Sequence, residues 1–206
     1  MIQVSNFIFD LGGVLLDINF DKLKRSFEML GVQHFEQQYS KINASDLYKQ
    51  LETGKISESV FYDEIITNIP KAPSKIEIQN AWNSILEEFR INSLKLLEKL
   101  KINHRIFLLS NTNSIHLQAF NNILFQQTGN NQLDTYFEKA YYSHLVGMRK
   151  PNADIYNFVI NDAKINPEET LFIDDTEMNV ISAQKFGFQT HLLLSDEKIE
   201  DLAYFK

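Results

Sequence analysis

Four stretches of this chain place residues that can do chemistry at or just after an apolar run. Residues 7–9 lead into Asp10, with Gly12 and Gly13 directly behind it. Residues 105–109 lead into Ser110-Asn111-Thr112-Asn113, and residues 170–173 lead into Asp174-Asp175. Lys150 stands in the segment GMRKP, just after a further run at 139–143. Asp10 offers a carboxylate nucleophile, which splits one difficult displacement into two easier ones. Three carboxylates gathered in one crevice repel each other, and their pKa values rise unless a cation joins them. Mg²⁺ suits such an oxygen-rich site and neutralises charge as a phosphoryl group transfers. Ser110, nearby backbone N–H groups and Lys150 can hold the remaining phosphate oxygens. The chemistry these residue types support together is phosphoryl transfer.

Each residue has an ordinary explanation when taken singly. An Asp after a strand is often a turn former or a helix cap. Ser110-Asn111 can simply bond a loop together, and Lys150 can be a solvated surface charge. What gives the set weight is the conjunction, and that depends on the elements that carry it.

The runs 6–10, 105–111, 139–143, 170–175 and 189–194 read as strands from their length, aromatic and β-branched content and polar flanks. Helical patterns separate the later ones. Asn92 is expected to cap a helix carrying Leu94, Leu97 and Leu100. Thr176 is expected to cap another carrying Val180 and Ala183, with Gly187 past its end. Alternating strands and helices predict an α/β fold: a Rossmann-like, mostly parallel sheet with helices on both faces. Ligands of such sheets bind outside the carboxyl ends of the strands. If the strands are neighbours, Asp10, Ser110, Asp174 and Asp175 converge on one crevice.

Residues 17–89 break the rhythm. They show no strand pattern but several helical ones: one ending near Gly54, one opening at Ser57 and one over residues 74–89. The expected organisation is therefore an α/β core, 1–16 and 90–206, with a helical domain inserted at 17–89.

Composition narrows the function. The 206 residues are 44% hydrophobic and 23% charged, as in an ordinary globular chain. A net charge of −7 argues against a broad nucleic-acid or membrane surface, because phosphate backbones need basic stripes. It does not exclude a small anionic substrate, since one metal ion reverses the local sign. With no cysteine, disulfides, thiol nucleophiles and zinc–thiolate sites are absent, and a cytoplasmic location is the compatible expectation. The opening MIQVSNFIFD has no basic segment and does not read as a signal peptide, and no run has the length of a membrane span.

The segments FIFDLGGVL, FLLSN, GMRKPNADIY and LFIDDTEMN together resemble the four motifs of the haloacid dehalogenase-like hydrolase superfamily. DLGGVLLDINF, LETGKIS, LLSNTN and GMRKP more narrowly resemble a branch of sugar-phosphate phosphatases acting on hexose 1-phosphates such as glucose 1-phosphate. The resemblance implies that Asp10 is the nucleophile and becomes an aspartyl phosphate. It implies that Ser110 and Lys150 bind the transferring group and that Asn111 contacts the phosphate. Asp10, the Gly12 carbonyl, Asp174 and Asp175 would hold Mg²⁺, with Asp174 binding directly or through water. Asn179 would support the loop, and the insert would serve as a cap that closes over a small phosphorylated metabolite, excludes water and selects it.

One position departs from that pattern. Most phosphatases of the superfamily carry Asp two residues after the nucleophile, where its carboxyl serves as general acid and base. Gly12 keeps a carbonyl but has no such group, a loss typically worth ~10²–10⁴ in rate. A sugar anomeric oxygen leaves more readily than a simple alcohol and fits that loss. Asp17, His116 and His144 are the nearest candidates to supply a proton, though a lone His is more often a structural hydrogen-bonder. Gly12-Gly13 also suits a tight turn at positive φ. Three other readings stand beside the phosphatase: a metal-independent dehalogenase using Asp10, a non-catalytic phosphate-ligand-binding module, and a phosphotransferase. Phe20, Arg25, Trp82 and Arg90 are candidates for reading the substrate by their chemistry alone.

Overall fold

The computed structural model describes residues 4–32, 35, 46–70 and 72–205. Parts of the expected insert, 33–34, 36–45 and 71, lie outside the described residues.

Five parallel strands form the central sheet: β1 (Asn6–Phe9), β4 (Arg105–Ser110), β5 (Lys139–Tyr142), β6 (Thr170–Asp174) and β7 (Gln189–Leu192). Their order is β5-β4-β1-β6-β7. Alternation along the strands explains why both faces are covered. Phe7, Phe9, Ile106, Leu108, Leu171 and Ile173 face one apolar cluster; Ile8, Phe107, Leu109 and Phe172 face another. Helices α5 (Ile91–Leu100) and α6 (Ser114–Thr128) pack Leu94, Leu97, Phe120 and Leu124 into the first cluster. Helices α8 (Ala153–Ala163) and α9 (Glu177–Gln184) pack Ile155, Tyr156, Val159 and Ala183 into the second. Burial on both sides is what a parallel sheet with helical crossovers requires.

The register sets the site. Phe9 lies opposite Leu108 on one side and Ile173 on the other. Asp10, Ser110 and Asp174 therefore emerge at the same sheet edge. From β1 the core strands proceed outward to β4 and β5, then restart on the other flank with β6 and β7. The crevice between β1 and β6 is the switch point of this order, where open α/β sheets bind their ligands.

Between β1 and β4 the chain forms helices α1 (Phe20–Leu30), α2 (Asp46–Glu52), α3 (Glu58–Asn68) and α4 (Lys75–Asn83). They pack around a cluster of their own that includes Leu23, Phe27, Tyr48, Phe61, Ile78 and Trp82. Asn19, Ser57 and Ser74 cap three of them through their side-chain oxygens.

Four local expectations need correction. Residues 17–89 do contain strand: β2 (Leu16–Ile18) pairs antiparallel with β3 (Leu86–Phe89), Leu16 opposite Phe89. The helix expected over 74–89 accordingly stops at Asn83, because 86–89 is taken up by that pairing. Asn92 lies inside α5 rather than capping it; Arg90 holds the cap position without a side-chain bond. Thr176 does occupy the cap position of α9, but its hydroxyl donates to Asp175 rather than closing the helix end.

The insert is tied to the core by a buried network at the start of α6. The Trp82 indole N–H donates to Asn113 Oδ1 at 3.4 Å, and the His116 ring stacks on Trp82 with centroids 4.8 Å apart. His116 Nε2 lies 3.1 Å from the Trp82 carbonyl, which can only accept, so Nε2 carries the proton. Nδ1 then accepts from Asn113 Nδ2 at 3.2 Å. Both ring nitrogens are satisfied in the neutral form, and burial lowers the His116 pKa to about 4. A histidine whose folded pKa lies below its unfolded value gives up stability as pH falls from the unfolded pKa toward the folded one. The expected outcome is a loss of roughly 2–3 kcal/mol of unfolding free energy between pH 7 and pH 4.5 that is absent in His116→Gln. Urea titrations of both proteins at the two pH values check it; equal pH dependence would contradict it.

Candidate active site

Lys150 is the centre of the sheet-edge cluster. Its ammonium lies 2.8 Å from Asp10 Oδ1 and 2.7 Å from Asp174 Oδ2, and its side chain is 1% exposed. Burial works against that charge, but Asp10 and Asp174 hold it above the ordinary lysine range. Asp10 is raised to about 7, chiefly by burial and further by Asp174 and Asp175, with Lys150 offsetting part of the effect. Asp10, Asp174 and Asp175 each present a ligand oxygen, and these oxygens all lie within 4.8 Å of one another. Three carboxylates against one ammonium leave two negative charges in a largely buried site. That surplus, on hard oxygen donors, fits a divalent cation of the Mg²⁺ type.

Each member is held in place by its neighbours. Asn111 Nδ2 donates to the Lys150 carbonyl, and the Lys150 N–H donates to Asn111 Oδ1, both at 2.9 Å. The amide of Asn111 is thus engaged at both ends by the Lys150 backbone, an arrangement that positions Lys150. Asn179 Nδ2 donates to both oxygens of Asp174, at 3.0 and 3.1 Å, and the Thr176 N–H donates to Asp174 Oδ1 at 2.8 Å. The Tyr156 hydroxyl in turn donates to the Asn179 carbonyl at 2.9 Å. Ser143 Oγ accepts from the Thr112 N–H and donates to the Thr112 carbonyl, both at 2.9 Å, fixing the loop behind Ser110.

A cavity of about 130 Å³ opens over this cluster, lined in part by Asp10, Gly12, Ser110, Asn111 and Lys150. Ser110 is 3% exposed, and its hydroxyl makes no hydrogen bond among the described residues.

The two glycines behind Asp10 differ. Gly13 has φ +77°, and a Cβ there would collide with the Asp175 carboxylate. Only glycine permits that approach. Gly12 is not in the left-handed region, and a Cβ there would rest 3.4 Å from the Ile18 side chain, an ordinary contact. The turn therefore explains Gly13 and leaves Gly12 without a steric reason.

The structure also sorts the remaining candidates. Asp17, within β2, pairs with Arg90 at 2.7 Å, and both line a separate, outer cleft with Asp175. His116 reaches the cavity wall but is locked neutral by its two partners. His144 sits at the start of α7 (Ser143–Val146), and burial lowers its pKa. Trp82 is fully buried in the insert's own cluster, and Arg25 donates to the Asp21 carbonyl on the exposed side of α1. Phe20 does line the cavity. Two charged lining residues were not among the sequence candidates: Glu52 at the end of α2 and Arg149 beside Lys150. Arg149 lies within the segment GMRKP, next to Lys150, and Glu52 lies within LETGKIS; those segments were the available signal.

The sequence profile of the haloacid dehalogenase-like hydrolase family matches residues 4–187. A D-ribitol-5-phosphate phosphatase of Bacteroides thetaiotaomicron is 30% identical over 188 residues, covering 91% of each chain. A sesquiterpene phosphatase of Aspergillus oryzae is 26% identical over 183 residues, covering 87% of this chain and 85% of its own. Among solved structures, a single-substitution mutant of a haloacid dehalogenase family enzyme of B. thetaiotaomicron, in complex with magnesium and inorganic phosphate, superimposes with a TM-score of 0.89. It is 34% identical, and the match covers 95% of this chain and 96% of that one. With its sheet order, its Lys150-centred acidic cluster and these matches, the chain belongs to the haloacid dehalogenase-like hydrolase family.

Proposed function

We propose that the protein is a Mg²⁺-dependent phosphatase of small phosphomonoesters, most simply of sugar or sugar-alcohol phosphates, and that Asp10 is its nucleophile. The observation that carries this is the buried Asp10–Lys150–Asp174 bridge at the switch point of the sheet, with Asp175 alongside. The relatives that match over most of the chain, two phosphatases and an enzyme in complex with magnesium and phosphate, support the same reading.

Asp10, Asp174, Asp175 and the Gly12 carbonyl are the groups that would hold the ion. When bound, Mg²⁺ offsets the two surplus negative charges and draws charge from the phosphoryl oxygens. The rest is done by the chain. Lys150 orients Asp10 and, with the free Ser110 hydroxyl, receives phosphoryl oxygens as charge develops on them. An Asp10 oxygen bonds to phosphorus while the bond to the leaving oxygen breaks. Water then attacks the aspartyl phosphate, releasing phosphate and restoring the carboxylate. The insert, 17–89, is the natural cap: its Phe20, Ile85 and Leu86 form part of the apolar wall of the cavity and would limit water.

Both a hexose 1-phosphate, from the motif resemblance, and ribitol 5-phosphate, from the relative's activity, belong in the test set. The binding-module reading is favoured by one observation, the absence of a carboxyl group at Gly12. The retained Asp10 counts against it, since binding alone needs no nucleophile.

In the direct test, phosphate release from ribitol 5-phosphate, glucose 1-phosphate and p-nitrophenyl phosphate is measured with Mg²⁺. Asp10→Asn is expected to lose at least about 10³-fold in kcat/KM while keeping its circular dichroism spectrum. EDTA is expected to abolish release and Mg²⁺ to restore it. Release that persists in Asp10→Asn, or that survives EDTA, would overturn the mechanism.

The glycines give a second test. Because position 12 has room for a side chain, Gly12→Asp is expected to fold and to speed hydrolysis of esters with poor alcohol leaving groups by ~10²-fold or more. The gain should be smaller for p-nitrophenyl phosphate, whose leaving group needs no proton. Gly13→Ala is expected instead to lose activity and raise the Mg²⁺ concentration needed, through the collision with Asp175. A metal titration of turnover in both variants distinguishes the two positions.

A further inference from the structure

The cavity that opens over Asp10 and Lys150 is also lined by a second charged pair. Arg149 Nε donates to Glu52 Oε2 at 2.9 Å, with side-chain exposures of 14% and 7%. Arg149 directly precedes the phosphoryl-binding candidate Lys150, whereas Glu52 comes from the insert, so the two face the cavity from opposite elements. The terminal nitrogens of Arg149 donate to no other described residue. Their setting is fixed by backbone contact as well: Gly54, at φ +64°, lies so close to the His144 carbonyl that a Cβ there would collide with it. The end of α2 is thereby pressed against the segment that leads to Arg149.

The charge state of the pair indicates what it would take. A lone arginine in this position would suit a second anion on the substrate. An arginine already neutralised by a buried glutamate offers an anion attraction from one member and repulsion from the other. A hydroxyl meets both members favourably, because it accepts from guanidinium N–H groups and donates to a carboxylate. Hydrogen bonds to charged groups in such a site are stronger than neutral ones, and the planar fork of arginine adds direction. A site built to bond hydroxyls also rejects analogues that lack them, since its polar groups are then left unpaired.

We propose that Glu52 and Arg149 are a specificity-determining pair that reads hydroxyl groups on the leaving group, selecting neutral polyol phosphates over apolar or doubly anionic esters. The proposal rests on the phosphatase reading above for its substrate class, but its test does not require turnover.

The experiment compares ribitol 5-phosphate with p-nitrophenyl phosphate, which has no leaving-group hydroxyl, and with 2-phosphoglycolate, which carries a carboxylate. Kinetics are run on wild type, Arg149→Met, Arg149→Lys and Glu52→Gln. Binding of the same esters in Mg²⁺ is measured by calorimetry on the Asp10→Asn background with and without Arg149→Met. The expected result is that the preference for ribitol 5-phosphate over p-nitrophenyl phosphate, in kcat/KM and in Kd, falls ~10–100-fold in Arg149→Met and Glu52→Gln. Arg149→Lys, which keeps the charge and most of the volume, recovers only part of the preference and serves if Arg149→Met does not fold. A preference that is unchanged while all esters weaken together would make the pair a structural tie and overturn the proposal. So would a wild-type preference for 2-phosphoglycolate that disappears with Arg149. If no ester is turned over but the Kd preference still depends on Arg149, the phosphatase reading fails and the pair's role stands.

Discussion

An ammonium group buried to 1% exposure governs this molecule. Removing a charge from water costs several kcal/mol even after the protein relaxes, so Lys150 is tolerable only between two carboxylates. Those carboxylates come from different strands, Asp10 after β1 and Asp174 at the end of β6, and Lys150 itself follows β5. The bridge is therefore possible only if the parallel register brings these ends level. Conversely, removing one partner from such a buried group typically costs 3–5 kcal/mol, because the other is left uncompensated. The hydrogen bonds around it follow from the same constraint. Asn111 engages the Lys150 backbone at both polar atoms, and Asn179 saturates Asp174, so neither charge can relax away from the other.

The bridge also explains how a chain of net charge −7 can serve an anionic substrate. What matters is the local balance. The cluster holds three carboxylates and one ammonium, and burial lifts Asp10 to about 7. A divalent cation would cancel the surplus and favour the ionised form of Asp10, the form that the proposed nucleophile needs. The acidity of the site is thus the condition for holding a cation, and the cation is the condition for accepting a phosphoryl group. Neither depends on the sign of the rest of the surface.

How much of this was readable in the sequence follows from the range of each interaction. Strands buried on both faces announce themselves as apolar runs, and Asp10, Ser110 and Asp174 stood out because each breaks or ends such a run. Elements defined by a distant partner did not stand out. Leu86–Phe89 reads as the tail of a helix, and only its pairing with Leu16–Ile18 makes it a strand. Asn92 is a good capping residue one turn position too late, because the helix is already begun at Ile91. Trp82 and His116 looked like chemistry and are structure: stacking and three hydrogen bonds, two of them through Asn113, tie the helices after β2 to the start of α6. Glu52 and Arg149 were not singled out as a pair, because 97 residues of sequence separate two groups that meet at 2.9 Å.

Gly12 shows the limit of reading a glycine from its neighbours. In sequence, Gly12 and Gly13 form one flexible pair. In space they answer different demands. Gly13 is dictated by the approach of Asp175 at positive φ, so any side chain there displaces a prospective metal ligand. Gly12 sits in ordinary backbone with room for a Cβ, so its lack of a side chain is a chemical feature of the site and not a condition of the fold. In the proposed mechanism, a site without that carboxyl would obtain its rate from what remains: the proposed nucleophile, the cation, the oxygen-binding groups and the fit of the leaving group. Of these, the last is the one that the proposed Glu52–Arg149 pair would tune. A leaving group held by its own hydroxyls is oriented for departure without a dedicated acid, and positioning of that kind is a source of rate in its own right.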